Sequence, residues 1–316
     1  MKSEKSRIWE KDITDLLSPI IDKRVIISCS GGPDSMWLLE MVRVFSGESA
    51  TKNIVVAHIH HWLRESAERD QEIVQEYCKK YNLLYECLRV DIKSAAKKTK
   101  TTIEECARNI RKKWLEEIRI KHTADYILTA HHADDQAETI LYRITKWTGI
   151  TGLAGIAQFT GYYFRPLLTL SKREILAFNE KHSVPSGYDE TNDDIAIPRN
   201  LLRQKILPQL QNINPEVAKA LSRLSGSAQE LKSSFDSFFA EIIAQKEFSY
   251  DWYHTLPLGF QHELLRCFYE DTNGSTHGLS LALLLELDKF LSTRTGGRKE
   301  LWKKWLVKKH GKIYLT

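Results

Sequence analysis

Four short apolar runs divide the first half of the chain. Arg24–Cys29 reads RVIISC, Asn53–Ile59 NIVVAHI, Leu83–Val90 LLYECLRV and Asp125–Ala130 DYILTA. Most are rich in β-branched residues, and their length predicts strands. Stretches with helical spacing lie between them: Ser35–Phe45, Glu65–Tyr81 and Thr102–Lys121. The third opens with Thr102-Ile103-Glu104-Glu105, the pattern of a capping box. Strands alternating with helices predict βαβ units, hence an α/β fold with a doubly wound, Rossmann-like parallel sheet. Ligands of such sheets bind beyond the carboxyl ends of the strands.

Past Leu210 the texture changes. Asn212-Ile213-Asn214-Pro215 is a turn signal. Pro215–Gln245 and Leu279–Leu291 then read as helices, and Arg294–Thr316 ends in a hairpin around His310-Gly311. The expected division is a catalytic domain over 1–211 and a smaller, mainly helical domain over 212–316.

Composition narrows the class. With 42% hydrophobic and 28% charged residues, the 316-residue chain reads as globular and long enough for a sizeable core. Its longest apolar runs, such as Leu279–Leu287, are too short to span a bilayer. Met1–Glu10 is charged and has no apolar stretch of the secretory kind. Five cysteines without a CxxC pair suit a reduced, cytoplasmic protein. The net charge of +5 is modest, but Arg294–Thr316 holds eight Lys or Arg against one acid, Glu300. Such a basic segment suits phosphate backbones; the alternative is a solvated surface.

The sharpest chemical signal is Ser30-Gly31-Gly32-Pro33-Asp34-Ser35, after the first strand and opening a helix. The glycines permit a tight turn and close approach to a ligand. Backbone N–H groups and the helix N-terminus then face an anion. Ser30 and Ser35 can add hydroxyls, Pro33 suits the helix start, and Asp34 is a candidate Mg²⁺ ligand beside phosphates. The segment is neither a Walker A loop nor GxGxxG. It resembles the SGGxDS loop of the N-type ATP pyrophosphatases, the PP-loop family. That resemblance implies ATP as cofactor, with AMP and pyrophosphate as products.

Further segments resemble the tRNA(Ile)-lysidine synthase family, in its order. They are Ala57–Ser66 (AHIHHWLRES), Thr102–Arg111 (TIEECARNIR), and Ala130–Thr139 (AHHADDQAET) followed by Thr148–Leu153 (TGITGL). Then come Asp189–Asp193 (DETND), Arg199–Arg203 (RNLLR) and Ile206–Pro208 (ILP). Together they span roughly residues 20–212. Lys146-Trp147 stands where the family has Arg-Gly. The tail resembles the family's smaller helical domain only loosely, and it leaves no room for the extra C-terminal domain of the longer members, so the resemblance implies a short form.

The resemblance implies a ligase. It activates the C2 oxygen of the wobble cytidine in a tRNA(Ile) with a CAU anticodon, and free L-lysine then displaces AMP through its ε-amine. His58, near a strand end, is a candidate for holding the adenosine. Arg108 and Arg111, three apart on one helix, share a face that can meet an α-phosphate; an exposed charged helix is the alternative. Asp135 and Glu138, with His131, form a candidate pocket and base for the lysine ammonium. A zinc site of the same three residues and a plain acidic helix start stay open. Arg199 and Arg203 can grip RNA, reach ATP, or lie on a helix surface. A tRNA thiolase and a non-catalytic nucleotide-binding module are the rivals, and no membrane partner is expected. The sequence does not fix the oligomeric state; a homodimer is compatible with it.

Overall fold

The computed structural model describes residues 14–60, 66–146, 149–187, 198–274, 278–301 and 304–316. These fold into two compact units that part between Gly226 and Ser227. The expected boundary near Asn212 falls before this division, at the end of a helix. The break at Asn214, whose Oδ1 accepts from the Glu216 N–H at 3.0 Å, ends one helix. The next helix, Val217–Gln245, carries the division within it.

The first unit is built on β1 (Val25–Ser28), β2 (Ile54–His60), β3 (Leu84–Arg89), β4 (Tyr126–Leu128), β5 (Phe159–Thr160) and β6 (Tyr163–Phe164). Their order is β3-β2-β1-β4-β6-β5, all parallel except β5, which returns antiparallel to β6. Between them run α1 (Pro33–Ser46), α2 (Ser66–Lys80), α3 (Ile92–Thr99), α4 (Ile103–Lys121) and α5 (Ala133–Thr145). After β6 comes α6 (Lys172–His182). A helical run follows: α7 (Pro198–Leu201), a π-helical turn at Leu202–Ile206, and α8 (Leu207–Ile213).

Period-two alternation sorts the strand side chains. Val25, Ile27, Ile54, Val56 and Leu128 pack with Met36, Trp37, Leu39, Val74 and Ile175 from α1, α2 and α6. Ile26, Val55, Ala57 and Ile127 face the other way, onto Leu115 and Ile118 of α4. Both faces are covered, as the alternation predicts. The Thr102 hydroxyl accepts from the Glu105 N–H at 3.2 Å and starts α4 where the sequence places it.

In the second unit, α10 (Tyr250–Thr255), α11 (Leu258–Asn273) and α12 (Leu281–Leu291) pack on a four-stranded antiparallel sheet; α9 denotes Val217–Gln245. The sheet order is β7 (Glu247–Ser249), β10 (Lys312–Leu315), β9 (Lys304–Lys309), β8 (Gly297–Leu301). The expected hairpin is β9–β10, and positive φ at His310 (52°) and Gly311 (72°) gives its two-residue turn. Phe239, Phe268, Leu287, Leu306 and Ile313 form the core. Among the described residues, no helix is long and apolar enough to cross a membrane.

Candidate active site

The phosphate loop leaves β1 at its carboxyl end. Gly31 sits at φ +87°, a region that disfavours any side chain. A Cβ there would lie 2.8 Å from the Asp70 carbonyl oxygen. The Gly31 carbonyl accepts from the Gly187 N–H at 2.8 Å, so the loop is held on two sides. Ser35 and Ser30 brace it from within. The Ser35 hydroxyl accepts from the Ser30 N–H at 3.1 Å and donates to the Gly32 carbonyl at 3.0 Å. The Ser30 hydroxyl lies 3.4 Å from the Gly32 N–H and 3.2 Å from the Ser35 hydroxyl. Ser35 is buried, so its hydroxyl shapes the loop. Pro33 is the first residue of α1. His58 is buried too, and its Nδ1 lies 2.9 Å from the Cys29 carbonyl oxygen, tying the end of β2 to the loop.

Asp34, in the first turn of α1, is where the parts converge. Lys172, at the start of α6, donates to its Oδ1 at 2.5 Å. His132 Nε2 lies 3.7 Å from Asp34 Oδ2 and 3.5 Å from Asp135 Oδ2, and its Nδ1 lies 3.6 Å from Asp134 Oδ2. Burial opposes charge on Asp34, but His132 and Lys172 outweigh it and hold the carboxyl at about 2. Burial likewise works against a charged His132. Asp135, Asp134 and Asp34 override it and raise the imidazole to about 10. At neutral pH the centre is an imidazolium among carboxylates.

The histidine selected from sequence is the neighbouring one. Spacing alone puts His131 on one helix with Asp135 and Glu138, but α5 starts only at Ala133. His131 Nδ1 instead lies 2.9 Å from the Thr129 hydroxyl oxygen. Burial, with Arg165, His132 and Arg111 adding to it against Asp135, lowers its pKa to about 4, so it is neutral. Asp135 accepts from the His132 N–H at 3.0 Å, which fixes the helix start.

Asp135 and Glu138 do come together, through a residue expected elsewhere. Arg203 Nε donates to Glu138 Oε1 at 2.5 Å, and its Nη2 donates to Glu138 Oε2 at 3.1 Å and to Asp135 Oδ1 at 3.2 Å. Arg199, four residues earlier, faces Glu104 at 3.7 Å and does not join them. Arg108 and Arg111 are exposed on α4. Arg111 lies close enough to His131 for its charge to bear on the imidazole. His61–Glu65, Trp147, Thr148 and Asp189–Asp193 lie outside the described residues.

Sequence reasoning missed Lys172, His132 and Asp70. His132 stands one residue from the chosen position. Lys172 is 138 residues from Asp34, and only the N-cap Ser171 beside it marks a defined helix start.

Zinc coordination by His131, Asp135 and Glu138 is not how these groups are arranged, because Thr129 and Arg203 engage them. Among the described residues, no three His, Cys, Asp or Glu side chains are grouped to hold a metal ion. Mg²⁺ needs less from the protein, since it takes one or two carboxylates with substrate phosphates and waters. Asp34, ionised and 28% exposed beside the loop, fits that need.

A PP-loop domain model, of an ATP-binding kind, matches residues 5–210. The chain belongs to the PP-loop family. PP-loop relatives include a tRNA(Ile)-lysidine synthase of Thermotoga maritima, 33% identical over 280 residues, or 89% of this chain and 66% of that protein. One of Bacillus subtilis is 38% identical over 228 residues, or 71% of this chain and 47% of that one. The chain thus spans about half to two thirds of the length of these curated relatives. In fold it is similar to a U34-tRNA thiolase, NcsA, from Methanococcus maripaludis, solved with its [4Fe-4S] cluster. The TM-score is 0.59 at 15% identity, covering 72% of this chain and 81% of that one.

Proposed function

We propose that this PP-loop protein is a tRNA(Ile)-lysidine synthase. The cytidine C2 oxygen attacks the α-phosphorus of ATP, and pyrophosphate leaves. The ε-amine of free lysine then attacks C2, the C2–O bond breaks, AMP leaves, and the amine loses its protons. The observation that carries this reading is the His132 bridge. It puts Asp34 of the loop and Asp135 of the carboxylate pair on either side of one buried imidazole ring. A nucleotide and a cationic amine can therefore meet there.

The chain's own groups divide the work. Loop N–H groups and Lys172 face the phosphates, as fixed donors where charge develops. Asp34 would hold Mg²⁺, which when bound neutralises phosphate charge. Arg111 and Arg108 line the neighbouring face of α4 for the α-phosphate or the RNA. Asp135 and Glu138 receive the lysine ammonium. Burial raises the Glu138 pKa, opposed by Arg203, so this carboxyl is suited to take a proton from the amine.

The sulfur-transfer alternative gains nothing from the cysteines. Cys29, Cys78 and Cys106 are buried, and burial pushes the Cys29 thiol up to about 11, away from a reactive thiolate. The exposed Cys87 on β3 meets Gln71, and the half-buried Cys267 on α11 meets Asp236, so neither faces a second cysteine.

The test mixes the protein, ATP, Mg²⁺, labelled lysine and bulk bacterial tRNA. Label should become acid-precipitable and release AMP and pyrophosphate. Glu138→Gln and Asp135→Asn should raise the KM for lysine while tRNA-dependent pyrophosphate release persists. No incorporation by the wild type, or ATP binding without turnover, sinks the ligase reading.

A further inference from the structure

Glu138 is 5% exposed, yet among the described residues Arg203 donates a hydrogen bond to each of its carboxylate oxygens. Asp135 gives one oxygen to the same guanidinium. One cation thus fills the space between the two acids. Arg203 itself is 39% exposed, so the pair has a dry side and a wet side. A buried carboxylate left without a cation is costly, whereas a half-exposed guanidinium can return to water at little cost.

The backbone under Arg203 is unusual as well. Leu202–Ile206 forms a π-helical turn between α7 and α8. Such a turn holds one residue more than an α-helical one, and it marks places where a helix trades regularity for the position of a side chain. Leu202 is buried and anchors the segment, while Arg203 reaches over to the acids. Loss of the extra residue would rotate Arg203 about the helix axis and withdraw it.

We infer that Arg203 is a specificity-determining counter-ion. It occupies the Glu138–Asp135 pocket until a primary ammonium on a flexible aliphatic chain displaces it. The inference rests on the lysine pocket of the proposed function and deepens it. The exchange swaps one cation for another, so the acids stay ionised throughout. It favours a ligand whose charge can reach past the half-exposed guanidinium to the buried carboxylate. Short or uncharged amines cannot repay the loss of a bidentate ion pair.

The experiment titrates the full chain with L-lysine by calorimetry, without ATP or tRNA, from pH 7 to 9 in two buffers of different ionisation enthalpy. Wild type, Arg203→Gln and Arg203→Lys are compared. In the Gln variant a proton replaces the guanidinium on the acid pair. Lysine binding should then release a proton at pH 7 and, at pH 9, where that proton has left, be about tenfold tighter than in the wild type, because the competing cation is gone. Arg203→Lys restores a cation and should return both affinity and proton release to wild-type behaviour, which also controls for folding. Equal or weaker lysine binding by the Gln variant, with no proton release, overturns the exchange and makes Arg203 a fixed brace. So does absence of lysine binding in all three. A chain that shows the exchange but never transfers lysine to tRNA sinks the proposed reaction alone. One that transfers lysine without any gain in the Gln variant sinks the exchange alone.

Discussion

Lys172 donates to Asp34 Oδ1 at 2.5 Å, so the first residue of α6 is fastened to the first turn of α1 across 138 positions of sequence. Neither residue is needed there for packing, since both are partly exposed, at 34% and 28%. The pair holds a cation and an ionised carboxylate beside the loop. Lys172→Ala should fold and lower ATP–pyrophosphate turnover by about 10²–10³, the scale for losing one fixed donor at a developing charge. Asp34→Ala should abolish turnover while ATP still protects the fold from thermal unfolding. Wild-type turnover in either variant would reduce the pair to a surface contact.

The loop makes a separate, purely steric prediction. Gly31→Ala places a methyl group 2.8 Å from a backbone oxygen that cannot swing away, at φ +87°. The cost should be about 1–3 kcal/mol from the backbone conformation alone. Gly32→Ala is the matched control, because among the described residues its Cβ would meet only the Ser30 hydroxyl, at an ordinary 3.5 Å. Thermal unfolding of the two variants should separate clearly, with Gly31→Ala lower. Equal melting temperatures would mean that the loop can move away from Asp70.

His132 gives stability a pH dependence. Its pKa, raised from 6.5 to about 10 by Asp135, Asp134 and Asp34 against the pull of burial, makes charging favourable in the folded state. The contribution is therefore complete below pH 6.5 and is lost as pH rises toward 10. The melting temperature should fall across that window. His132→Gln should melt lower at pH 7 and show a flatter profile. An unchanged slope in the variant would place the pH dependence elsewhere.

Much of this architecture is legible from local chemistry. The loop can be read because glycines, a proline and an acid between a strand and a helix restrict the backbone in few ways. The βαβ alternation follows from period-two and helical spacing. What cannot be read depends on one-residue register or on distant partners. Choosing His132 over His131 requires knowing that α5 starts at Ala133. Arg203 is visible as a cation, but its place between Asp135 and Glu138 arises from a π-helical turn that no propensity signals. Asp70 is an acid within an ordinary amphipathic helix, and only the fold sets it against Gly31.

The basic C-terminal segment shows the same limit. Lys308 counts among the basic residues of the tail, yet it is buried. Its ammonium donates to the Thr293 carbonyl at 2.5 Å and to the Phe290 carbonyl, capping the end of α12. Trp302 and Lys303 lie outside the described residues. The pairing of β8, β9 and β10 defines which side chains share the other face. Arg298 and Tyr314 both stand opposite Val307, Glu300 opposite Trp305, and Lys312 opposite Lys309. Trp305 is 40% exposed, with the Arg298 guanidinium 4.9 Å from its ring centroid. Lys312 is already paired with Glu247 at 2.8 Å, so Arg298 and Lys309 are the charges best placed to meet phosphate. Arg298→Glu with Lys309→Glu should raise the KM for tRNA and flatten its salt dependence, by roughly 0.7–0.9 of a log–log slope unit for each phosphate no longer neutralised. Trp305→Ala should weaken tRNA binding by about 1–3 kcal/mol if a base stacks on the ring. Lys308→Glu should instead destabilise the second unit, because it buries an acid against carbonyl oxygens. An unchanged tRNA KM and salt slope in the folded double variant would make this face a solvated surface, whatever its composition.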